Sequence, residues 1–508
     1  MTDQIEFLEF VGAALFMLAV LHTFSTRYFE HLAHTRTAHS GLWHLLGEVE
    51  TVFGIWAFVL LVFMALAHGW GRASTYLDTR QFTEPMFVFV IMVIAASRPI
   101  MQFASDGVQA AGRCLPLRPA IAGYFLSLSL VPLLGSLITE PAAMTLAALM
   151  LRGRIFATQA SNRLKYATLG VLFVNVSVGG TLTHFAAPPV LMVAAKWEWT
   201  TGFMLSTFGA KAALAVFINA VVLTYLFRRE LSVRAVSPAP GGVSRVPPVF
   251  VLVNLAILVA VVFANHDPET FMGLFLVFLG LAEAYRHHHD RLMLREGLMV
   301  AFFLAGLVVL GGQQQWWLQD VLSRLDESAL FYGAAALTAI TDNAALTYLG
   351  SLVEGISDNY KYSLVAGAVA GGGLTVIANA PNPAGFAILK GHFEDQSINA
   401  FGLFVAAFAP TLVAVACFRG IEGQIGEIVD WGLWVQWFSQ LDRSFLFLLI
   451  LPLVVAAVGL LSELRRARHE AENPGPHRAS AEFGAAGNAR AHDDRQVGPV
   501  LGTHRPPR

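Results

Sequence analysis

The stretch ITEPAAMTL at residues 138–146 returns as ITDNAALTY at 340–348. Both read Ile, Thr, an acid, any residue, Ala, Ala, Met or Leu, then Thr, and Ser136 falls opposite Thr338. A second pair follows the first. GGTLTHFAAPP (179–189) matches GGGLTVIANAP (371–381), with Leu182-Thr183 opposite Leu374-Thr375. Each copy then places a lysine seven residues past a proline, Pro189 to Lys196 and Pro383 to Lys390. Two motifs in the same order, about 200 residues apart, mark an internal repeat.

The first copy lies in very apolar sequence, and Glu140 is the only acidic or basic residue between Arg118 and Arg152. The chain as a whole shares that character. Its 508 residues are 56% hydrophobic and 13% charged, with mean hydropathy +0.59, whereas a soluble domain carries about 25% charged residues. Runs such as 51–70 and 445–461 meet the length of about 17–25 residues that crosses a bilayer core. The composition therefore predicts an all-α polytopic membrane protein. The N-terminus starts acidic, with no positive n-region before its apolar run, so the first hydrophobic segment is expected to stay as a membrane helix. Cys114 and Cys417 have neither metal nor disulfide-framework spacing and read as packing residues.

Candidate spans fall at 6–24, 51–68, 86–103, 203–227, 248–264, 269–286, 297–313, 399–418 and 444–462. Segments 121–151 and 329–354 are interrupted by the polar tetrads and read as re-entrant helical hairpins. Segments 164–197 and 362–391 are interrupted by Gly and Pro and read as broken transmembrane helices. The total is about 11 spans plus two hairpins, since irregular backbone at membrane depth is tolerated only where protein or a cavity satisfies it. The predicted organisation is an N-terminal helix and cytoplasmic loop (1–50), a first transmembrane repeat (51–227), a linker with one span (228–268), a second repeat (269–418), a C-terminal loop and span (419–469) and a disordered tail (470–508). The tail is rich in Pro, Gly, Ala and charge and keeps no apolar period.

Charge bias orients this plan. One threading gathers Arg113, Arg118, Arg152, Arg154, Arg163, Lys165, Arg228, Arg229, Arg234, Arg245, Arg286, Arg291, Arg295, Arg465, Arg466 and Arg468 on one face, which the positive-inside rule makes cytoplasmic. The opposite face is acidic, with Asp78, Glu198, Asp267, Asp320, Asp326, Glu327, Asp358, Glu422, Glu427 and Asp430. The two hairpins then enter from opposite sides. Repeats of inverted topology with broken helices are the plan of secondary transporters, whose substrate site lies near the midplane.

The repeated motifs offer the chemistry a hard cation wants. Pro141 suits a first helical position, which makes Glu140 the expected N-cap of a half-helix, with Asp342 its counterpart. Thr139, Thr341, Asn343, Ser136 and Thr338 complete the two tips. Gly179, Gly180 and Thr183 in the first break, and Gly372, Gly373, Thr375 and Asn379 in the second, add carbonyl, hydroxyl and amide oxygens. A carboxyl here is pulled two ways: desolvation favours its neutral form, while a helix N-terminus or a bound cation favours its charged form. A group that holds either a proton or a cation, but not both, is a minimal antiport device. An intramembrane acid is a functional hypothesis by default; the alternative is that both acids only cap half-helices. Lys211, inside the 203–227 span, is a candidate counter-ion for Glu140 or Asp342, against a snorkelling or structural role. Asn175, Asn219 and Asn254 read as interhelical hydrogen-bonders. Arg98 reads as snorkelling near a helix end, and the run RHHHD (286–290) as a solvated loop with pH-titrating groups.

The doubled tip-plus-break plan resembles the ion transporter superfamily, which includes NhaD-type sodium/proton antiporters, arsenite permeases and sodium/dicarboxylate symporters. GGTLTHFAAPP is similar to its Gly-Gly-x-x-Thr…Pro-Pro break. ITDNAALT is similar to its second tip, where antiporters have Asp-Asn and dicarboxylate carriers Ser-Asn-Thr. Across residues 40–460 the chain looks most like a bacterial family of sodium/proton antiporters. The resemblance implies an elevator-type mechanism, often within a homodimer. Two departures count against a dicarboxylate: the first tip reads Thr139-Glu140-Pro141, and no Asn follows Pro188-Pro189. An anion site should not carry two acids.

The expectation is thus a cation/proton antiporter of the inner (cytoplasmic) membrane, with a cytoplasmic C-terminal tail. It exchanges Na⁺ for H⁺ at Glu140 and Asp342 and needs no cofactor. Its partners are lipid, monovalent cations and protons, and a second copy, but no nucleic acid. The alternative on the same plan is a proton- or sodium-coupled transporter of an anion or neutral acid. An enzyme is disfavoured, since the chain has no HExxH, no GxSxG and no phosphate loop.

Overall fold

Gly and Pro punctuate this chain into helices that rarely run far, and among the described residues no strand occurs. The computed structural model describes residues 2–36, 39–158, 160–232, 245–393 and 397–420. The expected span 444–462 and tail 470–508 lie outside the described residues, as does most of the linker loop. Five helices are long and apolar enough to cross a membrane: Phe7–Thr26, Val49–His68, Thr201–Leu226, Leu294–Gly311 and Ala400–Gly420. Two bent pairs raise that to seven. The first, Thr83–Ala95 with Arg98–Cys114, bends by 65°, so the straight span expected at 86–103 is two helices. Pro99 opens the second of them. Arg98 does not snorkel there: its side chain is mostly buried and pairs with Asp290 at 3.6 Å.

The second bent pair, Pro119–Leu128 with Leu130–Ile138, turns by 44° and forms the first arm of the first hairpin. A buried amide pair holds this bend. Asn175 Nδ2 donates to Leu128 O at 2.7 Å and to Val216 O at 3.1 Å. Asn219 Nδ2 donates to Asn175 Oδ1 at 2.9 Å and to Pro410 O at 3.2 Å. Satisfying such carbonyls with side-chain donors is what permits bends in an apolar medium. Asn254 differs from the interhelical expectation, because its amide returns to Phe250 O in its own helix. Cys417 is buried, but Cys114 is exposed, so only the first packs as expected.

Lipid tails give helices no hydrophobic reason to associate, so close packing of small residues must do it. Gly306 meets the backbone of Phe53 and Gly54, and Gly170 that of Ala406 and Ala407. The largest core cluster draws on both halves, with Val174, Val178 and Phe208 beside Phe331, Val365 and Val369. Large apolar side chains such as Phe58, Leu66, Leu226 and Phe401 stay exposed, as a lipid-facing surface requires. The chain is a multi-pass helical membrane protein.

The elements that carry the two repeated motifs are short. The first tip separates Leu130–Ile138 from Glu140–Leu151, and the second separates Glu327–Thr338 from Asn343–Ser351. The first break separates Asn162–Gly179 from Pro188–Ala194, and the second separates Asp358–Gly371 from Asn382–Leu389. The halves interlock. Pro188–Ala194 packs against Asn343–Ser351, and Asn382–Leu389 packs against Glu140–Leu151.

Candidate functional site

Each tip is tied to the break that follows it in sequence. Thr183 Oγ1 donates to Ser136 O at 2.6 Å, and Thr375 Oγ1 donates to Ala339 O at 2.9 Å. In both copies, therefore, the break's threonine takes up a carbonyl at the end of the hairpin's first arm. Ser136 adds two bonds of its own: Oγ donates to Gly179 O at 2.7 Å and accepts from Leu182 N at 2.9 Å. Its counterpart Thr338 does not bridge; its hydroxyl turns back to Ala334 O at 2.7 Å. The second copy is instead tied by Asn343 N–H to Ala378 O at 3.1 Å. Asn382 Nδ2 donates to Gly372 O and Thr375 O, both at 2.8 Å.

The two acids sit differently. Thr139, not Glu140, is the N-cap of the first tip's helix, and Glu140 is its first residue, followed by Pro141. Thr139 has φ 71° and ψ 151°, a region that non-glycine residues avoid at a cost of about 1–3 kcal/mol. That twist brings Glu140 inward, where it is 0% exposed. Glu140 Oε2 accepts from Asn379 Nδ2 at 2.8 Å, so the first tip is bonded to the second break. Asp342 is a true N-cap. Its Oδ1 accepts from Ala344 N at 2.8 Å and Ala345 N at 3.2 Å. It is only partly buried, as is Thr341 beside it. The carboxyls are near enough for the charge of Asp342 to act on Glu140.

Several buried polar atoms around Glu140 have no partner: Glu140 Oε1, Thr139 Oγ1, Asn379 Oδ1, Asn382 Oδ1 and both side-chain atoms of Asn343. A native structure keeps few such atoms, and each calls for an explanation. Here most are oxygens, and a hard cation takes oxygen ligands. Glycines bound the cluster. A Cβ on Gly180 would run into the Glu140 carboxyl, one on Gly372 into Ser177 Oγ and Asn343 Nδ2, and one on Gly373 into the Val174 backbone. Gly179 lies as closely against Pro132.

Lys211 is not brought to either carboxyl. Its Nζ donates to Tyr362 Oη at 3.0 Å and lies 4.5 Å from the centre of that ring. Tyr362 Oη in turn donates to Phe418 O at 2.7 Å. Lys196 donates to Ser351 O, at the end of the second hairpin, where a cation suits a helix C-terminus. Three neighbours escape sequence reasoning. Ser177 donates to Val369 O at 2.9 Å and joins the two broken helices. Asn382 adds an unpartnered oxygen; its place in the second break, just before Pro383, was the signal. Glu50 acts electrostatically on Asp342 from the first turn of Val49–His68.

Residues 7–421 match a protein family described as "Putative Na+/H+ antiporter". The chain belongs to that family. The match covers both tips and both breaks, and it points to a cation/proton antiporter rather than an enzyme. No curated protein matches the chain.

Proposed function

We propose that the protein exchanges Na⁺ for H⁺ across the cytoplasmic membrane, with Glu140 and Asp342 as the carboxyls that alternate between proton and cation. The carrying observation is the set of unpartnered buried oxygens at Glu140, Thr139 and Asn379, beside a carboxyl held by a single amide. Sodium bound there gives those oxygens a partner; a proton on Glu140 gives its carboxyl a donor and removes the charge that attracts the cation. Gly179, Gly180, Gly372 and Gly373 let the broken helices approach closely enough to contribute. Ser136, Thr183, Thr338, Thr341 and Thr375 hold the tips and breaks in register.

The paired tip-and-break contacts support reading the chain as an inverted repeat. The positive-inside bias supports hairpins that enter from opposite sides, with the C-terminal tail in the cytoplasm. On that plan the site-bearing elements move as a body against the remaining helices, in an elevator step within a homodimer. No cofactor takes part; Na⁺ and H⁺ are the substrates, and lipid is the surrounding solvent.

A pH-sensitive dye in everted membrane vesicles tests the exchange. Addition of Na⁺ to the wild type should collapse an imposed proton gradient, and Glu140→Gln and Asp342→Asn should abolish the response. Parallel additions of Li⁺, K⁺ and Ca²⁺ rank the cations. A wild-type response independent of the cation, or full activity in both variants, would defeat the proposal.

A further inference from the structure

Glu50 is an acid in an apolar helix that neither repeated motif accounts for. It lies in the first turn of Val49–His68 and is partly buried. Its charged neighbours are Glu48 and Arg295, which pair with each other. Glu50 therefore stands beside an ion pair without being a member of it. Beyond them, the titratable group it faces is Asp342.

The packing explains how a residue near a helix end reaches a hairpin tip. Gly54 lies four residues past Glu50, on the same helix face. It meets Leu294–Gly311 backbone to backbone at Gly306. At its far end that helix meets the second hairpin, with Gly311 against Tyr348 and Leu349. One slim helix thus separates Glu50's helix from the hairpin that Asp342 opens. Asp342 also suits a relay: Oδ1 is held by two backbone N–H groups, and the residue is only partly buried. Glu140, by contrast, is sealed.

We infer that Glu50 is the outer station of a proton path that runs from the aqueous side where Glu48 and Arg295 pair, through Glu50, to Asp342 and the site. The inference rests on the antiport reading above. In each transfer the proton leaves one carboxyl oxygen and arrives at the next, directly or through water, so charge and protons balance at every step. The sodium ion need not touch Glu50, and this separates a relay from a ligand.

The experiment uses purified full-length protein in proteoliposomes, with two readouts on each variant. One is the pH profile of Na⁺-driven proton flux, and the other is ²²Na⁺/Na⁺ exchange, which moves no net proton. Glu50→Gln should lower proton flux by at least fivefold and alter its pH profile while ²²Na⁺/Na⁺ exchange stays within twofold of wild type. Glu50→Asp should restore most of the flux. Glu48→Gln, which breaks the neighbouring ion pair, should leave the pH profile in place. A wild-type pH profile in Glu50→Gln overturns the inference, and so does equal loss of both readouts in Glu50→Gln and Glu50→Asp. A wild type without Na⁺-driven flux fails differently: it defeats the antiport reading itself.

Discussion

Asn379→Ala removes the amide that holds Glu140 Oε2 at 2.8 Å. Both groups are buried, at 1% and 0% exposed, so no water replaces the lost donor. A hydrogen bond to a charged group contributes about 1.5–3 kcal/mol. If sodium binds the ionised carboxyl, that bond stabilises the cation-bound form and is weakened when the carboxyl is neutral. With tenfold per about 1.4 kcal/mol, apparent Na⁺ affinity should fall about 10- to 150-fold. The alanine also deletes Oδ1, one of the unpartnered oxygens, so the upper half of that range is expected. The assay is the KM for Na⁺ of proton flux in proteoliposomes, with thermal stability of the purified protein measured alongside. An unchanged KM would refute the reasoning, and so would a loss of activity fully matched by unfolding.

Further expectations follow from single contacts. Gly180→Ala drives a methyl group into the Glu140 carboxyl; overpacking of about 1–3 kcal/mol should lower Na⁺ affinity with little change in the helix, checked by the same KM. Thr139→Gly relieves the φ 71° strain but deletes a hydroxyl, so the melting temperature should rise while Na⁺ affinity falls; a fall in both would mean the strain is not stored there. Lys211→Met removes the Tyr362 bond and ring contact, each about 0.5–1.5 kcal/mol. Melting should fall by a few degrees while the KM for Na⁺ stays within twofold; a large KM change would restore the counter-ion role. Burial, with His288 and Arg98 nearby, pushes the His289 imidazole below its usual value, although Asp290 acts the other way. Its neutral form is therefore favoured in the folded state. That stability is present above the unfolded pKa of about 6.5 and is lost as pH falls through it toward the lower folded value. His289→Gln should flatten the pH dependence of melting between pH 7 and 5, and an unchanged slope would count against it.

Much of this protein was legible before any coordinate. Low charge and long apolar runs determine a helical membrane chain, because a bilayer core cannot solvate strand edges or charges. The doubled Thr-acid motif and the Gly-Gly breaks determine where helices stop, because Gly and Pro act locally on the backbone. What only tertiary structure decided is how the two copies differ. Sequence alignment makes Glu140 and Asp342 equivalents. Packing makes one a sealed carboxyl bonded to Asn379 and the other a partly open N-cap. The same holds for Lys211, whose position inside a span suggested a carboxylate partner but whose reach ends at Tyr362. Glu50 stayed hidden for the same reason. Local sequence sets backbone breaks and polarity, whereas the neighbour of a side chain more than 200 residues away is set by how the helices pack.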